Sequence, residues 1–467
     1  YPHLDTVLVH GGFIPWEPWQ GQPTELVVNI QLVNEKTKEA GKLSQVSKGQ
    51  CWQDLWEGLG PKSREIVLAI IDSGVDHTQE DLADNIWINS AEAGGRSGVD
   101  DDGNGYIDDI RGWDFSDAPD LPGRGDYLIP DNDPDDESGH GTHVAGIAGA
   151  VANNGVGIVG VAPDAKLMVL RAGVTLQSGG TFLEEDDLAA AILYAVDNDA
   201  HIINMSWGAP EQAFLLQDAV RYAADSGLIL VASSGNSGGP EIAYPAAADE
   251  TIAVSATDRS DHIAGFSNRG VPLDLAAPGA NILSTQPGNT YSRRSGTSFS
   301  APFVSGLVAL LLSRRPDLTP EQVRAVLTGA TADLGSPGWD DDFGAGRIDA
   351  VALLPVIVQP HAPPILRIHT PQTGQAAETG FEITAQISGS DLSTYRLSWG
   401  IGHTPQSWTL LQSGPADADI HLLWDISSLP DTAAVLRLEA DLTGGRTLED
   451  RVLVSVLRTP PAISSAR

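Results

Sequence analysis

The sequence predicts two folded parts: a parallel α/β sheet with helices on both faces, followed by an all-β sandwich of immunoglobulin or fibronectin type. Two observations carry this. Between Ile66 and about Pro355, short β-branched apolar runs alternate with longer stretches of helical period. Strands covered on both faces read as continuous apolar runs, and their alternation with helices implies crossover connections. Beyond Pro363 and Pro364 the texture changes to seven short alternating runs separated by Gly, Pro, Asp and Ser, as strands of a sandwich are.

Residues 1–42 are rich in Pro, Gly and Trp without a clear period and read as an extension that packs on or precedes the main domain. The α/β domain is assigned to residues 43–355 and the sandwich to 356–467. IVLAIID (66–72), KLMVLRA (166–172), HIINMS (201–206), LILVAS (228–233) and TIAVSA (251–256) are the expected buried strands. Helical patterns fall between and after them at 141–151, 185–198, 213–226, 298–314 and 320–329.

Charge narrows the possible partners. Against 62 Asp and Glu stand 27 Lys and Arg, a formal net charge of −35. Such a surface repels nucleic acid. The best apolar stretch, residues 303–312, is half the roughly 20 residues that a membrane span requires. The single cysteine, Cys51, allows no internal disulfide. The chain opens at Tyr1 without a Met or leader, as expected of a processed product. From Asp72 to His140 there are 20 acidic residues against three basic ones, a local net of −17 within 69 residues. Carboxylates crowded in this way repel one another unless cations sit among them.

Three segments carry chemistry. The first strand ends in Asp72-Ser-Gly74, which puts a carboxylate at the carboxyl end of the sheet; alone it reads better as a turn or cap Asp. In Gly139-His140-Gly141-Thr142-His143, small residues crowd an imidazole at a helix start, while His143 is expected to pack internally. In Ser295-Gly-Thr-Ser298, a serine heads an apolar helix, where the dipole favours developing negative charge; alone it reads as an N-cap. The run Asp100-Asp-Asp102-Gly-Asn104-Gly-Tyr106-Ile-Asp108-Asp109 places oxygen ligands at alternate positions, as the start of an EF-hand-type calcium loop does. Its twelfth position is Arg111 and not Glu, so Asp108 or Asp109 is expected to be the bidentate ligand. Oxygen ligands without Cys or clustered His favour calcium over zinc or copper.

Asp72, His140 and Ser298, in that order, resemble the subtilisin-like serine proteases, or subtilases, of the calcium-binding, thermitase-like type. The resemblance spans about residues 43–354. It implies that Ser298 attacks the peptide carbonyl, that His140 accepts its proton and returns it to the leaving amine, and that Asp72 orients the imidazole. It makes Asn236, in LILVASSGNSGG, the oxyanion donor together with the Ser298 backbone N–H. Ser178, Gly179 and Gly180 resemble the family's edge strand to which substrate adds as a further strand. Ser206, Trp207, Gly208, Ser233, Ser234 and Gly235 resemble the pocket walls, with Ala243 near the floor. Uncharged walls imply broad specificity with a preference for large uncharged side chains.

By the same resemblance, Asp81 and Asn154 with the carbonyls of Ala152, Val156 and Ile158 look like the strong calcium site of the family. Asp114 with Asp131, Asp133 and Asp136 resembles a further one. Two or three Ca2+ ions are therefore expected, in a secreted, monomeric endopeptidase acting on protein or peptide substrates. Two alternatives are a narrow-specificity processing protease and a catalytically silent calcium-binding surface module.

Overall fold

The computed structural model of the chain describes residues 6–10, 29–33, 64–178, 180–350, 352–353, 357, 363–442, 445 and 447–457. In the N-terminal extension, Thr6–His10 pairs antiparallel with Asn29–Val33, a strand pair that the aperiodic sequence did not announce; the rest of the extension and Cys51 lie outside the described residues.

A nine-stranded sheet organises the first domain. In chain order its strands are β1 (Val67–Asp72), β2 (Gly112–Asp114), β3 (Lys166–Arg171), β4 (Ile202–Met205), β5 (Ile229–Ser233), β6 (Thr251–Thr257), β7 (Leu275–Pro278), β8 (Thr331–Ala332) and β9 (Arg347–Ile348). Their order across the sheet is β8-β9-β7-β6-β5-β4-β1-β3-β2, and every pairing is parallel except β8 with β9. The five apolar runs picked out in the sequence are β1, β3, β4, β5 and β6, each within a residue or two.

Helices cover both faces: α1 (His140–Gly149), α2 (Glu185–Asp197), α3 (Phe214–Asp225), α4 (Ala301–Leu312) and α5 (Pro320–Gly329). The period of two along β1 divides the interior. Leu68 and Ile70 join a core with Val144, Val304 and Val308 from α1 and α4. Val67, Ala69 and Ile71 face the opposite core, with Leu188, Ile192 and Val220 from α2 and α3. Ile70 and Ile71 are both fully buried. β1 is flanked by β3 and β4, which leave the strand order in opposite directions, so its carboxyl end is a switch point where α/β sheets open a crevice.

All seven alternating runs of the C-terminal region are strands. Ile365–Thr370, Gly380–Ser388 and Ala418–Asp425 form one sheet. Leu392–Ile401, Thr409–Pro415, Thr432–Leu442 and Thr447–Val456 form a second, extended by the two-residue strand Ala376–Ala377. The two sheets share a core of their own that includes Phe381, Ile383, Leu397, Trp424, Leu436 and Val454. The Trp399 and Trp424 rings lie tilted against each other with centroids 5.3 Å apart and Arg437 lies 3.9 Å over Trp408, so these indoles pack within the domain. The region meets the α/β domain through polar contacts: Arg367 pairs with Asp450 at 3.3 Å and also reaches the Asp249 carbonyl, and Arg451 lies 3.9 Å over Trp339.

Candidate active site

The crevice at the end of β1 holds a hydrogen-bonded Asp and His. Asp72 is 3% exposed, and its Oδ1 lies 2.7 Å from His140 Nδ1 while accepting the Ser73 N–H at 2.7 Å. The partnership with His140 sets it apart from an ordinary turn Asp. His140 opens α1, and the helix approaches β1 so closely that a Cβ on Gly141 would sit 2.1 Å from the Gly74 carbonyl and 3.1 Å from Asp72 Cβ. Only glycine allows that approach. Burial opposes protonation of the imidazole, but the Asp72 carboxylate and its hydrogen bond outweigh this and hold the His140 pKa above the ordinary value. His143 lies 4.6 Å from the Phe299 ring, and burial lowers its pKa to about 3, which keeps it neutral and internal, as expected.

Ser298 is 8% exposed in a 3-10 turn, Thr297–Phe299, that leads into α4. The N-cap position belongs to Ser300, so Ser298 stands one turn ahead of the helix and does not cap it. The neighbouring Phe299 ring lies 5.4 Å from that of His140. A buried chain of side chains fixes the turn: Ser305 Oγ donates to Asn204 Oδ1 at 2.9 Å, Asn204 Nδ2 to Ser206 Oγ at 2.8 Å, and Ser206 Oγ to the Ser298 carbonyl at 2.7 Å. Asn236 Oδ1 accepts the Thr297 N–H at 2.8 Å and its hydroxyl at 3.0 Å. That commits the carbonyl end of the amide to Thr297, while Nδ2 lies toward Gly296, 3.7 Å from where a Cβ would stand. Thr297 also accepts the Gly235 N–H at 3.2 Å. Thr297, Asn204 and Ser305 were not singled out in the sequence, since hydroxyl and amide residues in apolar runs carry no periodic signal.

The expected substrate residues divide. Gly208, Gly235 and Ala243 converge: a Cβ on Gly208 would meet Ala243 Cβ at 3.0 Å, and one on Gly235, at φ +107°, would meet it at 3.2 Å. The Ala243 N–H bonds to the Ser234 carbonyl at 2.9 Å, and Ser206, Ser233 and Ser234 are buried beside them. The Trp207 side chain, by contrast, is not a pocket wall. Its indole packs in the core and its Nε1–H donates to the Ile71 carbonyl at 2.9 Å. Ser178 and Gly180 do not lie in a strand but in the turn joining Gly173–Thr175 to Thr181–Leu183, closed by the Leu176 N–H on the Gly180 carbonyl at 3.0 Å; Gly179 is outside the described residues.

The acidic segments differ in their fit to calcium. In the 100–109 loop, Asp100 accepts the N–H groups of Gly103 and Gly105 at 2.6 and 2.9 Å, and Asp102 and Asn104 accept those of Asn104 and Tyr106 at 3.0 and 2.8 Å. This turns the oxygen-bearing side chains of alternate residues inward. Buried Glu92 has an oxygen within 4.8 Å of those of Asp100 and Asp102, and its two oxygens also accept the N–H groups of Asp101, Asp102 and Asp108. Asp108 and Asp109, one of which was expected to be the bidentate ligand, bond to other groups. Asp108 turns to the Gly98 N–H at 2.7 Å, and Asp109 is buried against Tyr194, Asn89 and Asn104. Glu92 precedes the loop by eight residues, where no loop template looks.

Asp81 is fully buried, and its oxygens meet only neutral groups: Asn154 Nδ2 at 2.7 Å, the Ile158 N–H at 2.7 Å and the Tyr291 hydroxyl at 3.0 Å. Burial raises its pKa, so a cation at this carboxylate is electrostatically fitting. Asn154 also accepts the Val156 N–H at 3.2 Å, which folds the 152–158 loop over Asp81.

The Asp114 group departs furthest from expectation. Buried Asp114, raised to about 7 by burial, is paired with Arg171 Nη1 at 3.2 Å, so a fixed guanidinium supplies its positive charge. Its neighbours are Asp126 and Asp131, and Asp131 Oδ1 accepts the Asp133 N–H at 2.8 Å. Asp136 is not a ligand. Its oxygens accept from Ser73 Oγ, the Ser138 and Gly139 N–H groups, and both the N–H and hydroxyl of Thr142, all at 2.6–2.9 Å. It caps the start of α1.

A parallel sheet that presents a bonded Asp and His at its carboxyl edge, with a serine at the head of a following helix, defines a serine hydrolase of the α/β class. The profile of the Subtilase family matches residues 63–346, and the chain belongs to that family. It is 40% identical over 255 residues to the thermophilic serine proteinase of Bacillus sp. (strain AK1), which covers 55% of this chain and 53% of that protein. Subtilisin Savinase of Lederbergia lenta is 38% identical over 240 residues, 51% of this chain and 86% of its own length. Thermitase of Thermoactinomyces vulgaris is 36% identical over 301 residues, 64% of this chain and 90% of its own. The chain thus spans about half the length of the first and most of the other two. Among the described residues no helix is long and apolar enough to cross a membrane.

Proposed function

We propose that the chain is a calcium-stabilised serine endopeptidase acting in an extracellular setting, with Ser298 as nucleophile, His140 as general base and acid, and Asp72 as its orienting carboxylate. The observation that carries this is the 2.7 Å contact of Asp72 with His140 Nδ1, which makes Nε2 the ring nitrogen not engaged by the carboxylate. Ser298 Oγ attacks the peptide carbonyl as His140 Nε2 takes its proton. The imidazolium so formed is stabilised by Asp72 and then protonates the leaving amine. Water deacylates the enzyme by the same route in reverse.

The carbonyl oxygen becomes an oxyanion and needs donors fixed in advance. Asn236 Nδ2 and the Ser298 N–H fill that role, and the anchoring of Asn236 through Oδ1 supports it because the amide cannot turn over without losing both Thr297 bonds. Gly208, Gly235 and Ala243, with the backbone of Ser206, Trp207, Ser233 and Ser234, make an uncharged pocket for a large uncharged side chain. The hairpin of Gly173–Thr175 and Thr181–Leu183 receives the extended substrate backbone.

Calcium is proposed at Asp81 with Asn154 and the 152–158 carbonyls, and at Glu92, Asp100, Asp102, Asn104 and the Tyr106 carbonyl. When bound it supplies positive charge that stabilises the fold, and no step of catalysis passes through it. The C-terminal sheets are proposed to be an immunoglobulin-like accessory domain. The test is casein hydrolysis by the chain and by Ser298→Ala: loss in the variant supports the assignment, and equal turnover refutes it.

A further inference from the structure

We propose that Asp117, Glu184 and Asp187 bind one hard divalent cation of the calcium class, at a site distinct from those above, and that this ion ties the 117–130 segment to the foot of the hairpin beside the active site. Each of the three residues offers an oxygen within 4.8 Å of the others. Calcium holds its oxygens at about 2.3–2.6 Å, so two ligands of one ion stand no more than about 5 Å apart, and the three groups meet that requirement.

A second observation points to a ligand. Asp187 is only 5% exposed, and its Oδ2 is buried without any donor, although its carboxylate accepts the Asp117 N–H. The charged groups acting on it, Asp117, Asp186 and Glu184, are all carboxylates. A buried, undonated carboxylate oxygen among like charges is costly unless a cation completes it. Acidic residues are favoured in the first turn of a helix, which accounts for exposed Glu185 and Asp186 in α2 but not for a buried oxygen left without a partner.

The position gives the ion a task. Glu184 directly follows the hairpin strand Thr181–Leu183, and Asp117 opens a segment that returns on itself through the Ala118 N–H to the Tyr127 carbonyl at 3.0 Å. The segment meets the hairpin again at the Gly123–Leu176 bridge and through the Arg124 N–H on the Thr175 carbonyl at 2.9 Å. One cation at the Asp117 end would hold both chains where the hairpin turns toward substrate. Arg124 is exposed within this segment and reports its opening as a tryptic site.

The test uses the full chain with Ser298→Ala, so that self-digestion does not intervene, and compares it with the same chain carrying Glu184→Gln or Asp187→Asn. Calcium stoichiometry is read by equilibrium dialysis, and trypsin cleavage after Arg124 is followed with and without calcium. The expected result is one calcium fewer in each variant, with calcium slowing cleavage in the parent at least tenfold and not in the variants. Should Asp187→Asn fail to fold, the half-buried Glu184 position decides. Equal stoichiometry and equal calcium protection in Glu184→Gln and the parent would overturn the site, and that failure would leave the protease assignment standing.

Discussion

At the residue scale the chemistry depends on a few polar atoms whose partners are fixed. Asn236 is held through its oxygen by Thr297, so replacing it with Ala removes one oxyanion donor and leaves binding largely intact. kcat is expected to fall by about 10²–10³ with KM little changed, a magnitude carried over from well-studied members of the family. Steady-state kinetics on a peptide anilide checks this, and a change confined to KM would contradict it. His140 gives a pH prediction. Its pKa is raised in the folded protein, so the neutral, active imidazole appears only above the ordinary value of about 6.5, and the acid limb of kcat/KM should lie above that pH. The same shift stabilises the fold fully below the unfolded pKa, and that contribution is lost as pH rises through the folded one. Asp72→Asn removes the cause, so any residual activity should have its acid limb moved to lower pH. An unmoved limb would show that Asp72 does not act on His140.

At the element scale the start of α1 is the critical piece. Asp136 caps it with five hydrogen bonds, and Asp136→Ala strands several buried donors at a cost of about 3 kcal/mol or more. Denaturant unfolding should show that loss together with reduced activity, and the loss should exceed that in Asn236→Ala, which strands only the two Thr297 donors. Normal stability in Asp136→Ala would mean that the cap is redundant. These contrasts also mark what the sequence made legible. The runs that became β1, β3, β4, β5 and β6 are long, apolar and β-branched, and their buried faces explain why they stand out. β2 and β7, three and four residues long and containing Gly, Ala and Pro, lack that signature. Asp72, His140, Ser298 and Asn236 were legible because each lies in a dense local motif. Glu92 was passed over and Asp136 was taken for a ligand because three-dimensional proximity, and not spacing, decides which carboxylate faces a loop and which caps a helix.

At the scale of the whole molecule, the net charge of −35 is unevenly placed, with −17 between Asp72 and His140. Only part of that local charge has a fixed partner, such as Arg171 at Asp114. Calcium bound only to the folded chain stabilises it by about 4 kcal/mol at a thousandfold excess over Kd. For a domain of this size that corresponds to a fall in Tm of roughly 10 °C on chelation. Calorimetry with and without chelator measures it, and an unchanged Tm would remove calcium from the account while leaving the Asp, His and Ser arrangement untouched.

The most direct test of that arrangement is covalent. A fluorophosphonate probe reacts with a serine only when a neighbouring base activates it, and peptide mass spectrometry locates the adduct. One equivalent should attach at Ser298, with none in Ser298→Ala and strongly slowed labelling in His140→Ala. Labelling at another residue, or undiminished labelling and casein hydrolysis in Ser298→Ala, would contradict the central claim.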